Sequence, residues 1–192
     1  MNELGIVIKD KMANIEGRQI PVPTLELGKK KSVEKGKEAF FNLFAQPIFQ
    51  AKHNIPCTII YSKNAAIQPL VDTFNKTFPN LGVSMTISKV ELSQFNEKSV
   101  TEEMAKAVNE KDARIVCVVL PNNLKNLYKN LKVFSMKLEI PTQMCTEGTL
   151  RKKGIQSIAT KILLQIIAKR GNVLWSPTPK SSIDLDVMLV GF

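Results

Sequence analysis

The sequence predicts an α/β fold, a Rossmann-like parallel sheet flanked by helices, and three observations carry that expectation. Ile115, Val116, Cys117, Val118, Val119 and Leu120 form an unbroken apolar run. Such a run suits a parallel strand covered on both faces. From about residue 54 to residue 170, β-branched runs alternate with stretches of helical periodicity. That order implies a parallel sheet with helices on both sides. Finally, 192 residues with 44% hydrophobic and 23% charged side chains suffice for one full core, and they disfavour disorder.

Residues 1–35 do not read as a domain core. Gly17-Arg18-Gln19-Ile20-Pro21-Val22-Pro23 holds two prolines two apart, which favours extended backbone. Gly28-Lys29-Lys30-Lys31, followed by Lys35 and Lys37, reads either as a solvated segment or as a contact to a nucleic-acid backbone. Pro56-Cys57-Thr58-Ile59-Ile60-Tyr61 is a buried strand. Ile67, Leu70, Val71 and Phe74 then recur at helical spacing up to Phe78. Residues 83–90 alternate apolar and polar, as a strand does. Ser99-Val100-Thr101-Glu102 matches a capping box and predicts a helix over about 100–110. After the strand at 114–120, Leu124, Leu127, Leu131 and Phe134 share one face of a helix over about 124–136. Residues 140–146 return to a strand. The longest helix spans 154–170, with Ile155, Ile158, Ala159, Ile162, Leu163, Ile166 and Ile167 as its stripe and Gly171 beyond its end. Trp175-Ser176-Pro177-Thr178-Pro179 reads as a linker, and 183–192 as an apolar strand that stops abruptly inside a further domain.

Several chemistries are disfavoured. The nine glycines form neither GxGxxG nor GxxxxGK[ST], so a dinucleotide enzyme or P-loop ATPase is not expected. Cys57, Cys117 and Cys145 are odd in number and widely spaced, which reads as buried inert thiols. His53 is the only histidine, which argues against a histidine metal site or catalytic triad. No apolar run approaches the length of a membrane span, and the polar N-terminus reads as no secretory signal. A net charge of +10 and a pI near 9.6 point to a polyanionic partner, with nucleic acid foremost.

The polar residues between 121 and 170 suggest where that partner binds. Tyr128 and Lys132 are four apart on one predicted helix and share a face. The next strand opens with Pro141-Thr142-Gln143. Lys161, Gln165 and Lys169 recur every fourth residue, a polar ridge beside the apolar stripe. Ligands of parallel sheets sit beyond the C-terminal ends of the strands, and the site is expected there. A tyrosine, two or three lysines and one or two glutamines could converge as donors on one phosphate. Taken singly, a Tyr–Lys pair is usually surface packing and a Lys/Gln ridge a solvated face.

Pro121-Asn122-Asn123-Leu124-Lys125-Asn126-Leu127-Tyr128-Lys129-Asn130-Leu131-Lys132, Ile140-Pro141-Thr142-Gln143-Met144, Ser157-Ile158-Ala159-Thr160-Lys161-Ile162 and Ala168-Lys169-Arg170-Gly171 together closely resemble the MID domain of Argonaute proteins, and the third string resembles the Piwi branch. Glu16-Gly17-Arg18-Gln19-Ile20-Pro21-Val22-Pro23-Thr24-Leu25-Glu26-Leu27-Gly28 is similar to the linker between PAZ and MID domains. Leu185-Asp186-Val187-Met188-Leu189-Val190-Gly191-Phe192 is similar to the first strand of the PIWI nuclease domain. The resemblance implies a linker over 1–35, a MID domain over 36–176 and the start of a truncated PIWI domain over 177–192, although 36–110 match only in pattern. It also implies capture of a small guide RNA by its 5′-phosphorylated first nucleotide, uridine by preference, in RNA-mediated silencing of the piRNA kind.

On that resemblance, the phosphate falls to Tyr128, Lys132, Gln143, Lys169 and Gln165. The first base falls to Asn122, Asn123, Leu124, Lys125, Asn126 and the Tyr128 ring. Gln165 stands where the Argonaute branch has a further lysine. In the Piwi branch a bound Mg²⁺ assists there, so Mg²⁺ at the 5′-phosphate is the one cofactor the resemblance raises. Ile167 replaces the asparagine typical of that arrangement. The first slicing aspartate is expected after the strand that ends at Phe192, so this chain is expected to bind without catalysing. Expected partners are the guide RNA and the PAZ and PIWI domains, in a monomer without a membrane, in cytoplasm, nucleus or both. The alternatives are a protein-interaction module that docks silencing partners and a nucleotide-binding α/β enzyme.

Overall fold

The structure is a computed structural model that describes residues 24–33, 46–51 and 54–178. The proline stretch 17–23, Lys35, Lys37, His53 and the strand expected at 183–192 lie outside the described residues. Strands β3 (Ile55–Ser62), β4 (Met85–Leu92), β5 (Ile115–Leu120) and β6 (Thr142–Thr146) form one parallel sheet in the order β4-β3-β5-β6. Helices α1 (Gln68–Thr77), α2 (Glu97–Asn109) and α3 (Leu127–Lys137) connect successive strands, as parallel pairing requires. The expected α/β sheet is therefore present.

The apolar run of β5 is divided between two cores. Ile115, Cys117 and Val119 face a cluster with Ile59 of β3, Phe74 of α1, and Leu163 and Ile166 of α5 (Ile155–Lys169). Val116, Val118 and Leu120 face the opposite cluster, with Ile60, Val100 and Met104 of α2, and Leu131 of α3. Successive side chains point to opposite faces of a strand. A strand covered on both sides must therefore be apolar at every position, and all six β5 residues are buried.

Local signals shift two boundaries. The capping box of α2 is built by Asn96 and Ser99: Ser99 N donates to Asn96 Oδ1 at 2.9 Å, and Asn96 N donates to Ser99 Oγ at 3.1 Å. Ser99 is thus the third residue of the helix and not its cap, so α2 starts at Glu97, earlier than expected. The helix expected at 124–136 splits into a 3₁₀ turn, Asn122–Leu124, and α3. Pro121, whose carbonyl accepts from Leu124 N at 3.0 Å, starts the tighter turn. A short helix, α4 (Glu147–Leu150), is not anticipated by periodicity; Thr146 caps it by accepting from Thr149 N. Gly154 (φ 78°) and Gly171 (φ 75°) bracket α5 in the left-handed region, where glycine is favoured.

A second, antiparallel sheet joins the two ends of the described chain. β1 (Thr24–Glu26) pairs with both β2 (Ser32–Val33) and β7 (Ser176–Thr178). The stretch expected as a linker at 175–179 therefore supplies a strand, because its extended backbone finds a partner in residues 24–26. Leu27 is buried beside this sheet. Gly28 N donates to Pro47 O at 2.9 Å, and a Cβ there would stand 2.4 Å from Ile48 O. Only glycine allows that approach. Among the described residues, no helix is long and apolar enough to cross a membrane.

Candidate functional site

β6 is an edge strand, with α3 on one face of the sheet and α5 on the other. Pro141 O accepts from Val116 N of β5, at 3.2 Å. The next carbonyl, that of Thr142, therefore turns to the free edge. Two ammonium groups meet on it. Lys132 of α3 donates to Thr142 O at 3.0 Å and to Thr142 Oγ1 at 2.7 Å. Lys169, at the end of α5, donates to the same carbonyl at 2.8 Å and to Gln143 Oε1 at 2.7 Å. The Gln143 amide then donates to Gln165 Oε1 at 2.8 Å. Tyr128, one turn before Lys132, has its ring centroid 5.8 Å from the Lys132 ammonium, within cation–π range.

The structure thus brings together Tyr128, Lys132, Gln143, Gln165 and Lys169, which lie on three separate elements. Lys161, from the same ridge, is exposed one turn before Gln165. The position of the cluster departs from expectation. It lies at the start of β6, the N-terminal end of the sheet, not beyond the C-terminal ends of the strands. The cause is the edge itself. Among the described residues no further strand separates α3 from α5 there, so side chains from both faces reach around the edge and meet. The segment 122–126 does follow the C-terminal end of β5. The candidate residues therefore extend along β6, from the 3₁₀ turn at one end to the lysines at the other.

Asn122, Asn123, Lys125 and Asn126 are exposed, and Leu124 is half-buried. Asn122 Oδ1 accepts from Gly148 N at 3.0 Å, which ties the 3₁₀ turn to α4. A Cβ on Gly148 would fall 2.7 Å from that oxygen. Ser135 and Thr142, both buried, are absent from the sequence-based site. Ser135 Oγ donates to Lys132 O at 2.8 Å and lies 3.5 Å from Thr142 Oγ1. A buried serine on an apolar helix face is the signal that could have found them.

The electrostatics favour an anion. Burial lowers the pKa of Lys132, and the neighbouring Lys169 charge lowers it further; burial also lowers that of Lys169. Ion pairs among the described residues are Lys98–Glu102, Lys106–Glu103 and Arg114–Asp112, and none includes either site lysine. Two cations that share one neutral oxygen gain from any anion placed between them. A Mg²⁺ fits this donor set poorly. Gln143 Oε1 is committed to Lys169, two ammonium groups face the space, and Ile167 is packed in the core. Mg²⁺ prefers carboxylate, phosphate and water oxygens. The three cysteines are buried as expected. Burial pushes Cys57 up to about 12, and a hydrogen bond with Cys145 together with burial holds Cys117 well above the thiol range.

A family model described as the Piwi domain matches residues 114–192. Piwi-like protein 1 of Danio rerio is 25% identical over 194 residues, an alignment that covers 91% of this chain and 21% of that protein. Protein argonaute-3 of Drosophila melanogaster is 24% identical over 183 residues, 92% of this chain and 21% of that protein. The chain thus spans about a fifth of the length of these relatives. The crystal structure of Drosophila Piwi superposes with a TM-score of 0.76 at 20% identity, over 86% of this chain and 24% of that one. That of A. aeolicus Argonaute superposes with a TM-score of 0.64 at 20% identity, with the same coverages. At such identities the superpositions speak to the fold. Most of the chain's length thus aligns with Piwi-like and Argonaute proteins, and residues 114–192 match the Piwi domain model.

Proposed function

We propose that this chain is a MID domain that holds the 5′-phosphorylated first nucleotide of a small guide RNA, with a preference for uridine. One observation carries the reading: Lys132 and Lys169 converge on a single edge-strand carbonyl, with the Gln143 amide and an exposed tyrosine beside them. A terminal phosphate dianion offers both ammonium groups better acceptors than a neutral carbonyl. Tyr128 is 50% exposed, so its ring is open to a base. Asn122 and Asn123 of the 3₁₀ turn are exposed, which places the turn within reach of a base edge in this reading. The chemistry is retention and not cleavage, since two-metal hydrolysis needs clustered carboxylates and the gathered groups are ammoniums and amides. In this reading PAZ and PIWI domains of the same protein hold the rest of the guide, in cytoplasm, nucleus or both.

The test is titration with nucleoside monophosphates and the matching nucleosides. UMP is expected to bind best, in the millimolar range, and uridine not measurably. Equal affinity for UMP and uridine would overturn the phosphate reading, and equal affinity for all four monophosphates the base reading.

The lowered lysine pKa values set a pH dependence. A phosphate between the two ammoniums favours their charged forms, so both lysines bind protons more tightly in the complex than in the free chain. Affinity is therefore lost as pH rises through the lowered free-state values, before the ordinary lysine value of 10.5 is reached. On the acid side, affinity falls below about pH 6 as the phosphate takes up its second proton. Calorimetric titration of UMP across pH should trace this bell. An alkaline limb beginning only above 10.5 would contradict the burial of the lysines.

A second reading, a surface for silencing partners, finds one supporting observation: Val133 and Met136 are exposed on α3 at 47% and 77%.

A further inference from the structure

The geometry points to Thr142 as a positioning residue that aims the Lys132 ammonium, and this rests on the phosphate reading above. Thr142 is only 3% exposed, so its side chain has little surface left for a ligand. Its two oxygens are instead spent on the lysines. The carbonyl gathers both ammonium groups, and any residue at this position supplies it. The hydroxyl is specific to the side chain and, of the two lysines, accepts from Lys132 and not from Lys169, at 2.7 Å. Lys132 is thereby held by two acceptors of one residue, at 3.0 and 2.7 Å, which fixes the direction of a side chain with four rotatable bonds. Ser135 lies behind, 3.5 Å from Thr142 Oγ1, with its own hydroxyl donating to the Lys132 carbonyl. A chelated ammonium has less rotamer freedom to lose when an anion arrives, and less lost freedom means tighter binding. The accepting hydroxyl also favours the charged form of a lysine that burial disfavours.

Thr142→Val removes the hydroxyl while keeping shape and strand preference, and Thr142→Ser restores it. Both are compared with the parent chain on UMP and on short RNAs carrying a 5′-phosphate or 5′-hydroxyl. Thr142→Val is expected to weaken the phosphorylated ligands about 3–10-fold. It should leave 5′-hydroxyl RNA unchanged and move the alkaline limb of the UMP profile to lower pH, with Thr142→Ser near the parent in each. Thr142→Ala, which puts no methyl against the ammonium, repeats the test if the valine chain proves unfolded by circular dichroism. Unchanged phosphate affinity and an unmoved alkaline limb in a folded variant would overturn the inference. So would equal losses on both RNAs, since Thr142 would then serve only the general fold. Lys132→Ala run in parallel separates the two ideas. If it discriminates the RNAs and Thr142→Val does not, only the positioning role falls. If it does not discriminate, the phosphate reading falls and takes the positioning role with it.

Discussion

Lys132→Ala and Lys169→Ala are each expected to weaken a 5′-phosphorylated RNA by about 10–100-fold, and a 5′-hydroxyl RNA hardly at all. The size follows from one charge-assisted hydrogen bond, roughly 1.5–3 kcal/mol. The selectivity follows from the geometry. Both ammoniums are already drawn to one point at the β6 edge, so they act on a group that sits at that point and nowhere else along the strand. Gln143→Ala should cost less, because an amide is a neutral donor. Its loss also frees Lys169 from one of its two acceptors. Tyr128→Ala should harm both RNAs alike, since a stacked base contributes about 1–3 kcal/mol whether or not the 5′ end is phosphorylated. Binding assays on labelled RNAs of one sequence, differing only at the 5′ end, read all four variants. The assignment fails if Lys132→Ala weakens both RNAs equally, for then that lysine is part of a general basic surface. Lys29, Lys30 and Lys31 supply the comparison, because losses from screened backbone contacts fade at high salt.

Much of the sheet was legible because its rules are local. The β5 run could only be a strand covered twice, and the structure puts alternate residues of it into two cores. The stripe of α5 and the glycine beyond it were equally plain, because helical period and left-handed backbone each leave a mark on sequence. The start of α2 was misread because Asn96 and Ser99 satisfy a capping geometry as well as serine and glutamate do, so the string Ser99 to Glu102 was a coincidence of composition. Strand β7 was hidden for a different reason. Its three residues hold two polar groups and a proline, and only pairing with Thr24–Glu26, some 150 positions away in the chain, makes a strand of them. The site divides in the same way. Tyr128 and Lys132 announce their shared face by spacing alone. That Lys169 and Lys132 meet at the start of β6 depends on β6 being an edge, a property of strand order that no single segment encodes.

Phe74→Ala is expected to cost about 3–5 kcal/mol of stability, the usual price of emptying a fully buried aromatic site. Phe74 is wholly buried on α1, in the cluster that also takes Leu163, Ile166 and Ile167 of α5. Helix α1 packs against α5, so the cavity would open between the two helices and the sheet. Against a total of roughly 5–15 kcal/mol for an ordinary domain, such a loss is severe. The midpoint of thermal unfolding should fall by roughly 6–20 °C. Helix α5, whose other face lines that cavity, presents Gln165 and Lys169 on its exposed side. One helix therefore carries stability on one face and the candidate site on the other. In the fraction that remains folded, the preference for a 5′-phosphate should survive, because none of the hydrogen bonds at Thr142 and Gln143 includes a residue of the cavity. Denaturant titration and RNA binding on the same preparation separate the two effects. A loss below about 1 kcal/mol would mean that Phe74 is not packed as described. Loss of phosphate preference in a fully folded variant would mean that the position of Lys169 depends on the depth at which α5 is seated.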